Sequence, residues 1–132
     1  MPVNMPYACR DHFFCLSVSR CSGLLIQLPV YYPFSEVIQD NGRKVVSSNL
    51  YQGEDNRYHI DFQDFEKKIV EENVKLFFLC NPHNPVGRVW TREELEKLGD
   101  ICVKHGVIVV SDEIHQDLSL IHISEPTRRT PI

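Results

Sequence analysis

Asp112, Glu113 and His115 stand just behind an apolar, mostly β-branched run, Val107-Ile-Val-Val, with Ser111 between. Such a run predicts a strand buried on both faces, as in the middle of a parallel sheet. In open α/β sheets ligands sit beyond the carboxyl ends of the strands, which makes Asp112 a candidate functional group. A carboxylate there is costly to bury unless it meets a cation. Two other predicted strand ends release matching chemistry: Pro29-Val-Tyr-Tyr-Pro33, and Asn81-Pro-His-Asn-Pro-Val-Gly87. If the strands are parallel neighbours, an aromatic ring, an amide and an acid converge on one crevice. A flat heteroaromatic ring with a protonated nitrogen would use all three. Tyr31 would stack on its face, Asn84 would donate to an oxygen on its edge, and Asp112 would pair with the ring nitrogen.

The elements that must position these groups are legible from Gly23 onward. Leu24–Leu28 reads as a strand stopped by Pro29, and a short helix is predicted from about Phe34 to Asp40, ended by Asn41-Gly42. Lys44–Ser47 is a short strand, followed by a polar loop from Asn49 to Arg57. Asp61 is an N-cap for a helix whose apolar stripe is Phe62, Phe65, Ile69 and Val70. Val74–Leu79 is the next strand. Thr91 and Glu94 form a capping box, the helix behind them carries Leu95, Leu98, Ile101, Cys102 and His105 on one stripe, and Gly106 stops it. The Val107 strand follows at once, giving strand–loop–helix–strand with a crossover long enough for parallel pairing.

Composition narrows the function classes. The 132 residues are 42% hydrophobic with a net charge of -4, which gives no electrostatic footprint for nucleic acid or an anionic membrane. No apolar run approaches a bilayer span, and the start lacks the pattern of a signal peptide, so a cytoplasmic location is expected. Cys9, Cys15 and Cys21 fit neither a zinc knuckle nor a redox pair, and Cys80 and Cys102 fall on a strand end and a buried helix face; free, reduced thiols are expected. His12, His59, His105 and His122 show no metal-ligand spacing, and no metal is expected.

The segments Asn81-Pro-His-Asn-Pro-Val-Gly-Arg-Val-Trp90 and Val110-Ser-Asp-Glu-Ile-His115 resemble those of fold-type I pyridoxal-phosphate (PLP) enzymes, the class I/II aminotransferase superfamily. Tyr31-Tyr-Pro-Phe34, the Thr91 helix and the ending at His115 point to its cystathionine β-lyase-like branch, the MalY/PatB group; many aminotransferases carry tyrosine at the position of His115. The resemblance covers roughly residues 23–118. It implies an α/β fold, a partial, mainly parallel sheet of the aspartate aminotransferase-like large domain. It also implies a cofactor, pyridoxal 5'-phosphate, held by Tyr31, Asn84, Asp112 and His115. Asp112 would keep the pyridinium nitrogen protonated, Asn84 would bond the phenolic oxygen with His115 near the same edge, and Tyr31 would stack on the ring. Pro82, Pro85 and Gly87 would shape the loop that aims Asn84, with Arg88 and Trp90 structural.

Each residue type also has a plainer duty. A carboxylate ending a strand caps the next turn, an Asn between prolines makes a turn, and Tyr31, His83, Glu113 and His115 serve equally as packing or surface groups.

The resemblance also implies a lysine joined to the cofactor as a Schiff base some thirty residues beyond His115, and that lysine is absent. Lys44, Lys67, Lys68, Lys75, Lys97 and Lys104 all precede Asp112, so no catalytic residue is assigned. A phosphate-cradling Gly-rich segment is not recognisable in residues 1–22, which suggest a shifted reading frame. Residues 119–132 are aperiodic and resemble a foreign tail, and Arg128 and Arg129 within them receive no role. The expectation is therefore a fragment of a carbon–sulfur β-lyase of the cysteine-S-conjugate or cystathionine type, acting on a small-molecule amino acid. As it stands the fragment would be inactive and a weak cofactor binder, and its full-length relatives would be homodimers. The alternatives are an amino-acid aminotransferase of class I/II and, from a Walker B-like reading of the Val107 strand and Asp112-Glu-Ile-His115, a DExH-box helicase fragment. The last requires a GxxxxGK[ST] loop that this chain does not contain.

Overall fold

A computed structural model describes residues 22–116. Four parallel strands form the main sheet: β1 (Gly23–Ile26), β2 (Lys44–Ser47), β5 (Val74–Cys80) and β6 (Ile108–Asp112), in the spatial order β2-β1-β5-β6. The helices are α1 (Pro33–Asp40), α2 (Phe62–Glu71) and α3 (Arg92–His105). A small antiparallel pair, β3 (Tyr51–Gln52) with β4 (Tyr58–His59), lies between β2 and α2. The α/β, mainly parallel architecture agrees with the sequence.

Side chains on a strand alternate between faces, and the sheet divides its core accordingly. Leu24, Ile26 and Leu76 pack with Ile38 of α1, flanked by Phe34, Val37 and Phe78. Leu25, Val46 and Phe77 pack on the other face with Phe65 and Ile69 of α2, Leu98 and Cys102 of α3, and Trp90. Phe65 and Phe77 meet edge to face at 4.9 Å. The chain steps from β1 outward to β2, then from β5 outward to β6 in the opposite direction. One crossover hand applied in two directions places α1 and α3 on opposite faces, and it creates a topological switch point between β1 and β5.

The helix signals are realised as hydrogen bonds. The Asp61 carboxylate accepts from the N–H groups of Gln63 and Asp64, both at 3.0 Å. At α3, Thr91 Oγ1 accepts from Glu94 N at 3.2 Å while the Glu94 carboxylate accepts from Thr91 N at 2.8 Å. Gly106 closes that helix in the left-handed region, φ 64°.

Three expectations change. Val70, assigned to the apolar stripe of α2, is 61% exposed, because it lies one step around the last turn from Ile69, which takes the core-facing position. The loop from Asn49 to Arg57 contains β3, held through Gly53 N donating to Arg57 O at 2.8 Å. β6 is not buried on both faces: among the described residues it pairs with β5 alone, and Ile108 and Val109 are exposed. Cys9, Cys15, Cys21, His12, His122, Arg128, Arg129 and the tail from 119 to 132 lie outside the described residues.

Candidate functional site

The carboxyl ends of β1, β5 and β6 open onto one cleft of about 210 Å³, lined by Tyr31, Cys80, Asn84, Asp112, Ile114 and His115. The four residues singled out from the sequence, Tyr31, Asn84, Asp112 and His115, are thus brought together beside the switch point.

Tyr31 arrives from β1 through Pro29 and stands just before α1. Its ring lies edge-on to Phe34 at 6.3 Å and tilted against Tyr32 at 5.6 Å, and it is nearly half exposed, so a broad aromatic surface faces the cleft. Asp112 closes β6, in register with Cys80 of β5. Its Oδ1 accepts from Ile114 N at 3.1 Å, and no cationic side chain pairs with it among the described residues. A half-buried carboxylate with one oxygen fixed by the next turn is poised to meet a positive group from the cleft. Glu113 turns elsewhere, accepting from Ser111 Oγ at 3.1 Å.

Asn84 sits on a tightly braced turn. His83 N donates to Arg88 O at 2.6 Å, and Gly87 N donates back to His83 O at 2.7 Å. Gly87 has φ 69°, a conformation that costs other residues more than glycine. Asn81 Oδ1 accepts from Trp90 N, and Trp90 Nε1 donates to Cys80 O, both at 3.1 Å. The Arg88 guanidinium forms a fork to the Glu94 carboxylate at 3.1 and 2.9 Å, donates to Tyr58 O at 2.6 Å and lies 4.7 Å from the Trp90 ring centre. The structural duties expected of Arg88 and Trp90 are therefore visible: together they join the turn to β4 and α3.

Two lining residues escaped the sequence reading. Cys80, at the cleft floor, accepts from Asn84 N at 3.5 Å and donates to Pro82 O at 3.4 Å. Burial pushes its thiol up, the Asn84 N–H works against this, and the Asp112 carboxylate adds to it. A protonated thiol is a poor nucleophile, so Cys80 braces the turn. Ile114 supplies an apolar side chain to the same cleft. The signal for Cys80 was available in principle, since pairing the last residue of β5 with the last of β6 sets it opposite Asp112.

The sequence model for the family "Aminotransferase class I and II" matches residues 8–125. The chain belongs to this family. It is 53% identical over 97 residues to cystathionine beta-lyase PatB of Bacillus subtilis (strain 168), covering 74% of this chain and 25% of that protein. It is 40% identical over 96 residues to protein MalY of Escherichia coli (strain K12), covering 73% and 24%. Cystalysin from Treponema denticola, whose crystal structure contains a pyridoxal 5'-phosphate cofactor, superposes with a TM-score of 0.75 at 40% identity, covering 82% of this chain and 27% of that one. The chain thus spans about a quarter of the length of the relatives it matches. The β-lyase-like branch suggested by the sequence is the one these relatives represent, and the DExH-helicase alternative falls away. Among the described residues no helix is long and apolar enough to cross a membrane.

Proposed function

We propose that these residues carry the ring-holding part of a pyridoxal-phosphate-dependent carbon–sulfur β-lyase acting on amino acids. The observation that supports this reading most is the convergence of Tyr31, Asn84, Asp112 and His115 on one cleft at the carboxyl edge of the sheet. The donor set suits the cofactor: a half-exposed aromatic face, a side-chain amide with no other hydrogen bond among the described residues, and an acid without a cation. In this reading Asp112 would hold a proton on the ring nitrogen, Asn84 and His115 would serve the phenolic oxygen, and Tyr31 would cover the ring and exclude water. When bound, pyridoxal phosphate supplies an electron sink for the charge left at a substrate's Cα once its proton is removed. No lysine lines the cleft among the described residues, so no covalent attachment point is assigned to them.

The reaction of the whole protein is then elimination of a thiol from the β-carbon of an amino acid, after which the remaining enamine tautomerises and takes up one water to give pyruvate and ammonia. A class I/II aminotransferase on the same scaffold is the second reading, favoured by the breadth of the matched family. We place the whole protein in the cytoplasm, as a homodimer.

The test is an absorbance titration of the chain with pyridoxal phosphate. Uptake by the isolated chain is expected to be weak, and Asp112→Asn lowers it by a further factor of about ten, the worth of one charge-assisted hydrogen bond. Equal uptake by the parent chain and by Asp112→Asn and Asn84→Ala variants would sink the assignment. Product analysis on a full-length relative, pyruvate and ammonia against a transferred amino group, separates lyase from aminotransferase.

A further inference from the structure

Beneath the turn that carries Asn84 lie two polar side chains that the proposed chemistry leaves unused. Gln27 is 1% exposed and His83 is 2% exposed, and among the described residues neither atom of the Gln27 amide nor either nitrogen of the His83 ring has a hydrogen-bond partner of good geometry. They occupy the same region. Leu25 belongs to the cluster under α2 and α3, so alternation along the chain sends Gln27, two positions on, to that face. His83 stands edge-on to Trp90 of the same cluster, with ring centres 5.5 Å apart. One side of the His83 ring faces the Gln27 backbone in a weak hydrogen-bonding contact that favours the protonated ring, too poorly formed to satisfy a ring nitrogen by geometry. Four buried polar atoms without a well-formed partner among the described residues, two of them on the ring that meets Trp90, are far outside native practice, in which nearly every buried polar group finds a partner.

A single water gives each side chain one partner. A neutral imidazole offers one donor and one acceptor, and an amide offers one oxygen and one NH2. A water accepting from one of them and donating to the other gains two partners at once, the minimum that holds an internal water. We propose that Gln27 and His83 jointly bind one buried water at the switch point between β1 and β5, and that this link fixes the turn presenting Asn84. The His83 main chain is already braced on both sides, to Arg88 O and from Gly87 N, and Asn84 follows it directly with its own N–H on Cys80 Sγ. Anchoring the His83 ring therefore fixes the origin of the Asn84 side chain. The positioning half of the proposal rests on the reading of Asn84 as a cofactor contact; the water site does not.

The test uses the full 132-residue chain. In the unsubstituted chain, NMR transfer from water to the His83 ring proton shows a long-lived bound water; absence of that transfer overturns the site. Gln27→Leu and His83→Phe each lower the folding equilibrium constant by about tenfold, and the double variant loses less than the product of the two, because neither side chain then strands the other. Losses that simply multiply overturn the shared link. The side-chain amide signal of Asn84 shifts in both single variants and returns in His83→Gln, a response that general destabilisation would not give. An unmoved Asn84 signal overturns the positioning role. A chain that shows the water and the coupling but takes up pyridoxal phosphate equally with and without the Asn84 side chain keeps the water site and sinks the cofactor reading instead.

Discussion

His83 sets the sharpest expectation at the scale of single residues. Burial holds its imidazole down to about 4, with the Gln27 backbone working weakly the other way, against an ordinary value of 6.5. A histidine depressed in the folded state binds its proton first when the chain unfolds. Stability is therefore fully present above pH 6.5 and is lost as pH falls toward 4, by on the order of 3 kcal/mol across that window. Urea midpoints measured from pH 7 to pH 4.5 should fall steadily, and His83→Phe should flatten the upper part of the slope. The surface carboxylates of Asp55, Glu66, Glu72 and Glu93, each held below its ordinary value, add losses in the same direction only at the lower end. An unchanged slope in the variant would mean that the His83 ring reaches solvent. Cys102 belongs to the same scale: burial pushes its thiol up to about 11, and it should resist alkylation at neutral pH until the chain unfolds.

Among the elements, the ends of α3 carry the clearest local instructions. Thr91→Ala removes the acceptor for Glu94 N and should cost about 1 kcal/mol. Gly106→Ala should cost about as much, because the residue there sits at φ 64°, where a Cβ is penalised whatever the space around it. Chemical denaturation of the two variants measures both. These ends were readable beforehand because a cap is a contract between residues three or four apart. The β3–β4 pair was not, since Tyr51 stacks on His59 and Gln52 reaches Asn56 O through contacts that no short periodicity announces. Val70 shows the opposite failure: its apolar type matched the stripe of α2, but which flank of a stripe is covered depends on where the neighbouring helix ends. The four cleft residues converged as expected because each follows a strand of recognisable type. The distant partners of Arg88, at Tyr58 and Glu94, depend on the three-dimensional path of the chain.

For the molecule as a whole, strand order matters more than any single contact. The order β2-β1-β5-β6 places the cleft where crossovers diverge, so that residues far apart in sequence share it without a dedicated loop. The same order leaves β6 at one margin among the described residues, with Ile108 44% and Val109 41% exposed. An apolar margin of this kind invites pairing with another chain. Sedimentation should show association of the isolated chain that rises with concentration, and Val109→Lys should reduce it; an unaltered profile would mean the margin is covered. Trp90 is the only tryptophan in the sequence, and it touches His83, Arg88 and Cys80 at once. Its emission is consequently a built-in optical gauge of the Asn84 turn, blue-shifted while the indole stays dry and dimming whenever the neighbouring imidazole takes on charge.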